Sequence, residues 1–337
     1  MNGPPSYSAA MKTLKKPLAA KATRIASSIT AGSKLICILI IQKHGLRTMK
    51  IDEALQQGIE MLKDSKSDIA LPSLEVQLIL GHILNKSREA LIAYGNDALG
   101  DEPKEVFLRA VKKRAAGCPL AYITGKKEFM DITFFVDENV LIPRDDTQIL
   151  VDCVLSLAAE KKDKTEILNI GTGSCCIEIA LALNNKNIFI TGIDKYKNAL
   201  QVAHKNIDYY SLQDRIMLLE SDLFSSLDEN CRFDIICSNP PYISEDEMKD
   251  LSIDIAHFEP HAALYGGKDG LDFYRRIIKK SVNYLHQSGK LIVEVGCTQA
   301  ESVQQIFHEN GFINVSCIQD LSGQNRVVCG EKNKNGH

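Results

Sequence analysis

Ile167-Leu-Asn-Ile-Gly-Thr-Gly-Ser-Cys175 is the stretch that decides the fold. A short apolar run suited to a buried strand passes into two glycines, and a second apolar run, Ile177 to Leu183, follows at helical spacing. Gly171 and Gly173 permit a tight turn and close approach of a ligand to the backbone, outside the carboxyl end of the strand. Alone, G-x-G is often only a strand-to-helix turn. Its surroundings give it weight.

Outward from this turn, strands are expected at Ile167 to Ile170, Ile188 to Ile193, Ile216 to Glu220, Phe233 to Ser238, Lys290 to Val295, Val315 to Ile318 and Arg326 to Cys329. Helices fill the gaps at Ile177 to Leu183, Ala199 to Asp208, Tyr274 to Leu285 and Ala300 to Asn310. Strands alternating with helices build a mostly parallel, doubly wound α/β sheet. The last two strands flank only Leu321-Ser-Gly-Gln-Asn325, too short for a crossover, so they must run antiparallel. A Rossmann-like sheet with an antiparallel final strand is the layout expected of an S-adenosylmethionine-dependent methyltransferase.

The ends of the first three strands suggest what the sheet binds. Asp194 stands 23 residues beyond Gly171, near the spacing of an acid that holds a ribose hydroxyl pair. Asp222, in Ser221-Asp-Leu-Phe224, is placed to hold an adenine amino group. Each Asp is otherwise a helix cap or a solvated strand end. A dinucleotide is the rival ligand, but the turn lacks the third glycine of G-x-G-x-x-G and no second phosphate loop is evident. The expected cofactor residues are Gly171, Thr172, Gly173, Ser174, Cys175, Asp194, Asp222, Leu223 and Asn239.

The fourth strand ends in Ser238-Asn-Pro-Pro-Tyr242. Two prolines cannot continue a ladder, so the chain must leave the sheet there. Asn239 offers an amide oxygen and Pro240 a carbonyl, a pair able to grip both hydrogens of a planar NH2 group. An amide or aromatic amine shares its nitrogen lone pair with the adjacent π system and is a poor nucleophile. Holding its hydrogens orients the nitrogen and stabilises the positive charge that develops on it. Tyr242 is expected to stack on the target group, with its π face suited to a sulfonium. The plain alternative is a proline-rich strand exit.

Before the sheet, Leu55, Ile59, Leu62, Leu74, Leu78, Ile79, Val106, Ala110 and Val111 recur at helical spacing. Ser73 and Ser87 are placed to cap helices, and Gly117 to end the last. This is a small helical domain, suited to holding a partner or serving as a stabilising appendage. Phe129, Ile132, Phe134 and Val136 then alternate as in a hairpin, and a helix is expected from Asp146 to Glu160.

Charge divides the 337 residues unevenly. No Asp or Glu precedes Asp52, whereas eight Lys and Arg lie in residues 1–48. The body from Met49, with 32 Lys and Arg against 43 Asp and Glu, is −11 although the whole chain is −3. The leader resembles an organelle transit peptide; an inert extension, or a working start at Met49, explains it equally. The expected compartment is cytoplasmic if the leader is inert and the mitochondrial matrix if it is a transit peptide. An acidic body without a basic tract argues against a stable nucleic-acid partner. The longest apolar run, Leu35 to Ile41, is far short of the roughly 20 residues of a membrane helix. Ten cysteines show no C-x-x-C and no metal-ligand spacing, so no metal is expected.

Longer segments carry a resemblance. Phe233 to Ile243, Phe258 to Arg276, Pro119 to Gly125, Val140 to Arg144 and Leu321 to Val328 together resemble the peptide-chain release factor N(5)-glutamine methyltransferases, over about Ile51 to Gly330. The resemblance implies methyl transfer from S-adenosylmethionine to the Gln side-chain amide of the Gly-Gly-Gln motif of ribosomal release factors. It implies that the helical domain docks the factor and that Asn239, Pro240, Pro241 and Tyr242 hold the Gln, with Asn239, Pro240 and Tyr242 catalytic. The expected division is a leader at 1–48, a helical docking domain at 49–117, a β-hairpin linker at 118–140 and a methyltransferase domain at 141–337. Asn169 stands where the family usually has Asp, Cys175 where it usually has a third glycine, Leu223 where an aromatic is usual, and Arg144-Asp-Asp-Thr147 in place of Arg-Pro-Glu-Thr. Two alternatives stay open: amino methylation of a nucleic-acid base, which shares N-P-P-Y, and a binding protein with a degenerate cofactor loop.

Overall fold

The computed structural model describes residues 48–333 apart from 66, 68 and 162. The basic leader, and the expectations attached to it, lie outside the described residues. In the body, a seven-stranded sheet has the order β5-β4-β3-β6-β7-β9-β8. Its strands are β3 (Thr165–Ile170), β4 (Ile188–Asp194), β5 (Ile216–Glu220), β6 (Phe233–Ser238), β7 (Leu285–Glu294), β8 (Phe312–Gln319) and β9 (Asn325–Lys332). The first five are parallel, and β9 lies antiparallel between β7 and β8.

The two-residue period of the strands sorts apolar side chains between two cores. Ile167, Ile235, Ile292 and Val327 face one side, against α6 (Gln148–Ala159), α7 (Cys176–Asn184) and α8 (Lys197–Tyr210). Leu168, Ile236, Leu291 and Val328 face the other, against α10 (Asp272–Ser281) and α11 (Ala300–Glu309). Burial on both faces explains why these strands read as continuous apolar runs rather than alternating ones.

The preceding helices are α1 (Ile51–Lys63), α2 (Pro72–Leu84), α3 (Arg88–Ala93), α4 (Asp101–Ala115) and α5 (Leu120–Thr124). They share a separate core containing Leu62, Val76, Ile79, Leu80, Leu91, Phe107 and Val111. Gly58 lets α1 approach closely: a Cβ there would lie 2.8 Å from the Phe107 ring and 2.9 Å from Val76. Ser87 caps α3, accepting from the Ala90 N–H. Ser73 does not cap α2; Pro72 takes the first helical position, where its missing N–H costs nothing, and Leu71 is the cap residue. Gly117, at φ 99°, ends α4.

The hairpin pairs β1 (Lys126–Phe129) with β2 (Ile132–Phe135). Met130 and Asp131, both at positive φ, form its two-residue turn. Several elements run differently from the sequence expectation. The helix expected to reach Leu285 stops at Ser281, because Leu285 pairs with Phe233 and opens β7. A short helix, α9 (Ile253–Phe258), interrupts the long connection after β6. Among the described residues no helix is long and apolar enough to cross a membrane.

Candidate active site

Strand β3 pairs with β4 on one side and β6 on the other, so chain order reverses beside it. Such a reversal leaves a crevice outside the carboxyl ends of the strands. A cavity of about 590 Å³ lies there, within the range that encloses a nucleoside-sized ligand. Ile170 to Ser174, Asp194 to Ala199, Ser221 to Leu223 and Ser238 to Pro241 form its floor. Glu138 to Leu141, Pro143, Arg144 and Thr147, the turn from Pro260 to Ala263, and Phe273, Arg276 and Ile277 of α10 form the wall.

The glycine turn is held from three directions. Gly171 and Thr172 donate backbone N–H bonds to the Ile193 carbonyl at 2.8 and 3.1 Å. The Gly173 N–H donates to Asp194 Oδ2 at 2.9 Å. From behind, the buried Asn206 side chain donates to the Ser174 carbonyl and also bonds the hairpin backbone at Phe135. Gly171 and Gly173 sit at φ 84° and 53°, and no atom comes within 4 Å of a Cβ built on Gly173. The turn is therefore an open cradle.

Asp194 is 8% exposed, and burial raises its pKa while the N–H groups of Tyr196, Gly173 and Lys195 pull it back. Gly173 and Tyr196 occupy one lone pair on each carboxylate oxygen, so both oxygens keep acceptor capacity for a hydroxyl pair. Asp222 is bridged by Lys195 at 2.8 Å and Arg276 at 2.9 Å, and the Lys195 hydrogen bond is the main cause of its lowered pKa. Leu223, beside it, is another non-glycine residue at positive φ, 53°.

Asn239 follows the last residue of β6, whose Ser238 hydroxyl donates to the Ile170 carbonyl at 2.7 Å and ties the two strand ends together. Asn239 Nδ2 donates to Thr147 Oγ1 at 3.1 Å. Among the described hydrogen bonds, neither Asn239 Oδ1 nor the Pro240 carbonyl accepts one, and both residues line the cavity. Two unspent acceptors on adjacent residues can receive the two hydrogens of one NH2 group.

Two expected site residues lie elsewhere. Cys175 is fully buried in the core under α7, while Cys176 reaches the cavity wall. The cause is its left-handed backbone, φ 68°, which turns the chain into the helix. Tyr242 is not among the lining residues. Its carbonyl accepts from Gln299 Nε2 at 2.8 Å, and its ring packs beside Gly296 against the second core. Asn169 is also off the cavity, donating to the buried Glu178 at 2.7 Å. None of Thr147, Lys195, Arg276 and Glu294 is among the expected site residues, although Thr147 ends the segment Arg144-Asp-Asp-Thr147 set against the family's Arg-Pro-Glu-Thr; an acid closing the apolar run Leu291-Ile-Val-Glu294 was the available signal for the last.

The open cradle, the acceptor capacity of Asp194 and the apolar Leu223, Phe273 and Ile277 suit a nucleoside with a charged tail, so the donor set fits S-adenosylmethionine. Comparison with known proteins agrees. Residues 53–125 match the PrmC N-terminal domain model, and residues 145–258 match the methyltransferase small domain. The release factor glutamine methyltransferase of Clostridium botulinum is 38% identical over 84% of this chain and its own full length. The bifunctional methyltransferase of Rickettsia typhi is 38% identical over 79% of this chain, which spans 54% of that protein. The chain thus spans about half the length of its Rickettsia relatives. Among solved structures, the hMettl16 catalytic domain in complex with a MAT2A 3′UTR hairpin shares the fold, with a TM-score of 0.50 and 16% identity over 70% of this chain and 83% of that one.

Proposed function

The chain belongs to the release factor glutamine methyltransferase family, and from that premise we propose that it methylates the side-chain amide nitrogen of the Gln in the Gly-Gly-Gln motif of ribosomal release factors. The observation that carries this reading is the pair of free acceptors, Asn239 Oδ1 and the Pro240 carbonyl, beside a nucleoside-sized cavity. S-adenosylmethionine, when bound, supplies an electrophilic sulfonium methyl. Gly171 to Ser174 would cradle it, Asp194 would take its ribose hydroxyls, and Asp222 and Leu223 would hold its base.

The chain's own contribution is orientation and electrostatics. Asn239 and Pro240 fix both hydrogens of the target amide, so its nitrogen can face the methyl donor without prior deprotonation. As the C–N bond forms and the S–CH3 bond breaks, its electron pair staying on sulfur to leave a neutral thioether, positive charge grows on that nitrogen. The two oxygens stabilise it more strongly than the neutral ground state. The extra proton then leaves for solvent. Arg144, bound to the buried Glu259, joins the wall at 138–144 to the segment carrying His261, so both rims of the cavity hold one shape. The helical domain serves as the docking unit for the factor.

The degenerate-loop alternative loses its motive, because the side chains of Asn169 and Cys175 both lie off the cavity. S-adenosylmethionine carrying a labelled methyl, incubated with purified release factor, tests the proposal. Label is expected on the factor and is expected to vanish when the motif Gln is replaced by Ala. Label on RNA or DNA with none on the factor would overturn the proposal in favour of base methylation.

A further inference from the structure

Glu294, at the end of β7, is a buried carboxyl group with no part in the cavity wall; it is 2% exposed. Ser238 pairs with Val293 in the parallel β6–β7 register, so Asn239 and Glu294 leave neighbouring strands side by side. Glu294 Oε2 makes no hydrogen bond among the described residues. The Thr147 hydroxyl and the Asn239 amide face the carboxyl as donors.

These contacts bear on a specific ambiguity. The Asn side chain is nearly symmetric in shape, and a half-turn about its last bond exchanges oxygen for NH2. In one flip Asn239 offers an acceptor to a substrate amide; in the other it offers a donor against a donor. Its Nδ2 gives one hydrogen to Thr147 Oγ1 at 3.1 Å, which leaves the Thr147 proton to be given onward. The carboxyl next to it is an acceptor toward which both groups can turn a hydrogen. With the amide nitrogen engaged by Thr147, a buried residue of the cavity wall, Oδ1 is the end left without a partner among the described hydrogen bonds.

We propose that Thr147 and Glu294 are positioning residues, which hold Asn239 in the flip that presents Oδ1 to the substrate amide. The inference rests on the reading of Asn239 as the amide-gripping residue. An ionised carboxyl only accepts, whereas a protonated one also donates and competes for Thr147. The hold therefore weakens as Glu294 gains a proton. Burial pushes the Glu294 pKa up to about 7, with Thr147 and Asn239 drawing it down as donors. Asp146, before α6, opposes ionisation and Arg326, on β9, favours it. Tyr242, Tyr274 and Cys176 also face the carboxyl, from the loop after β6, from α10 and from α7. Burial raises both phenols, and the Cys176 thiol to about 12, so none of the three titrates near neutrality.

The side-chain amide resonances of Asn239, assigned by their loss in Asn239→Asp, provide a readout that needs no substrate. In the wild-type protein they are expected to shift with a midpoint near pH 7, and in Glu294→Gln to stay flat. In turnover with release factor, Glu294→Gln and Thr147→Ala are expected to lower kcat by about tenfold or more with KM within about twofold, and Thr147→Ser to recover most of the loss. A flat wild-type titration, or wild-type kcat in both Glu294→Gln and Thr147→Ala, overturns the positioning role. Failure to methylate release factor while the resonances still titrate overturns the substrate reading alone.

Discussion

Asn239, Thr147 and Glu294 show how a single side-chain flip can depend on a buried charge, and that charge has a thermodynamic signature. The carboxyl has a folded pKa of about 7 against an ordinary 4.5. A raised carboxyl pKa means that the fold prefers the protonated form. Below about pH 4.5 there is no penalty; through neutrality the penalty grows, and above about pH 7 it is complete, on the order of 3 kcal/mol. Glu294→Gln removes the ionisation. Denaturant unfolding should show the variant gaining stability relative to wild type between pH 5 and 8.5, even as kcat falls. A stability difference independent of pH would contradict the assignment. Cys175 carries the opposite kind of cost: its φ of 68° is strained for a residue with a Cβ, by about 1 kcal/mol or more, but its buried thiol fills the core under α7. The strain sits on the fold, not on the cofactor wall.

At the scale of elements, the segment after β6 is held by close backbone contacts that only glycine permits. Ile243 donates its N–H to the Leu264 carbonyl, Gly266 donates to the Ile243 carbonyl, and Gln299 clamps the Tyr242 carbonyl. At Gly270, φ 74°, a Cβ would lie 2.4 Å from the Tyr242 carbonyl oxygen. Gly270→Ala should cost roughly 1–3 kcal/mol from strain alone and lower turnover more than cofactor affinity. Thermal unfolding and calorimetry would check this; equal losses in both would show that the segment supports the cofactor rather than the amide grip. The core strands were legible in the sequence because burial on both faces makes them unbroken apolar runs, and β5 and β6 have the bounds read from it. The start of β7 was not, since Tyr284 and Leu285 extend the helical spacing of α10 until pairing with Phe233 claims Leu285. Five-residue α5 and six-residue α9 are too short for a period to show. At the site, Gly171, Gly173, Asp194 and Asn239 were legible from strand-end position. Thr147 and Glu294 were not, because their roles arise from a contact between α6's approach and two adjacent strands.

On the whole molecule, the helical core and the cavity share no residue. Phe107 is fully buried among α1, α2 and α4, and Phe107→Ala should cost about 3–5 kcal/mol in that core. The expected effect is a raised KM for release factor with cofactor affinity within about twofold; parallel loss of cofactor affinity would show that the helical unit supports the cavity instead. The acidic body, −11 from Met49 onward, is consistent with a protein substrate approached through that unit rather than a phosphate backbone. The amide grip is put to the sharpest test by Asn239→Ala, assayed for methyl transfer to release factor beside calorimetry for S-adenosylmethionine. The grip requires that kcat fall by about 100-fold or more, with cofactor affinity within a few-fold of wild type. Near-normal turnover by Asn239→Ala would contradict it.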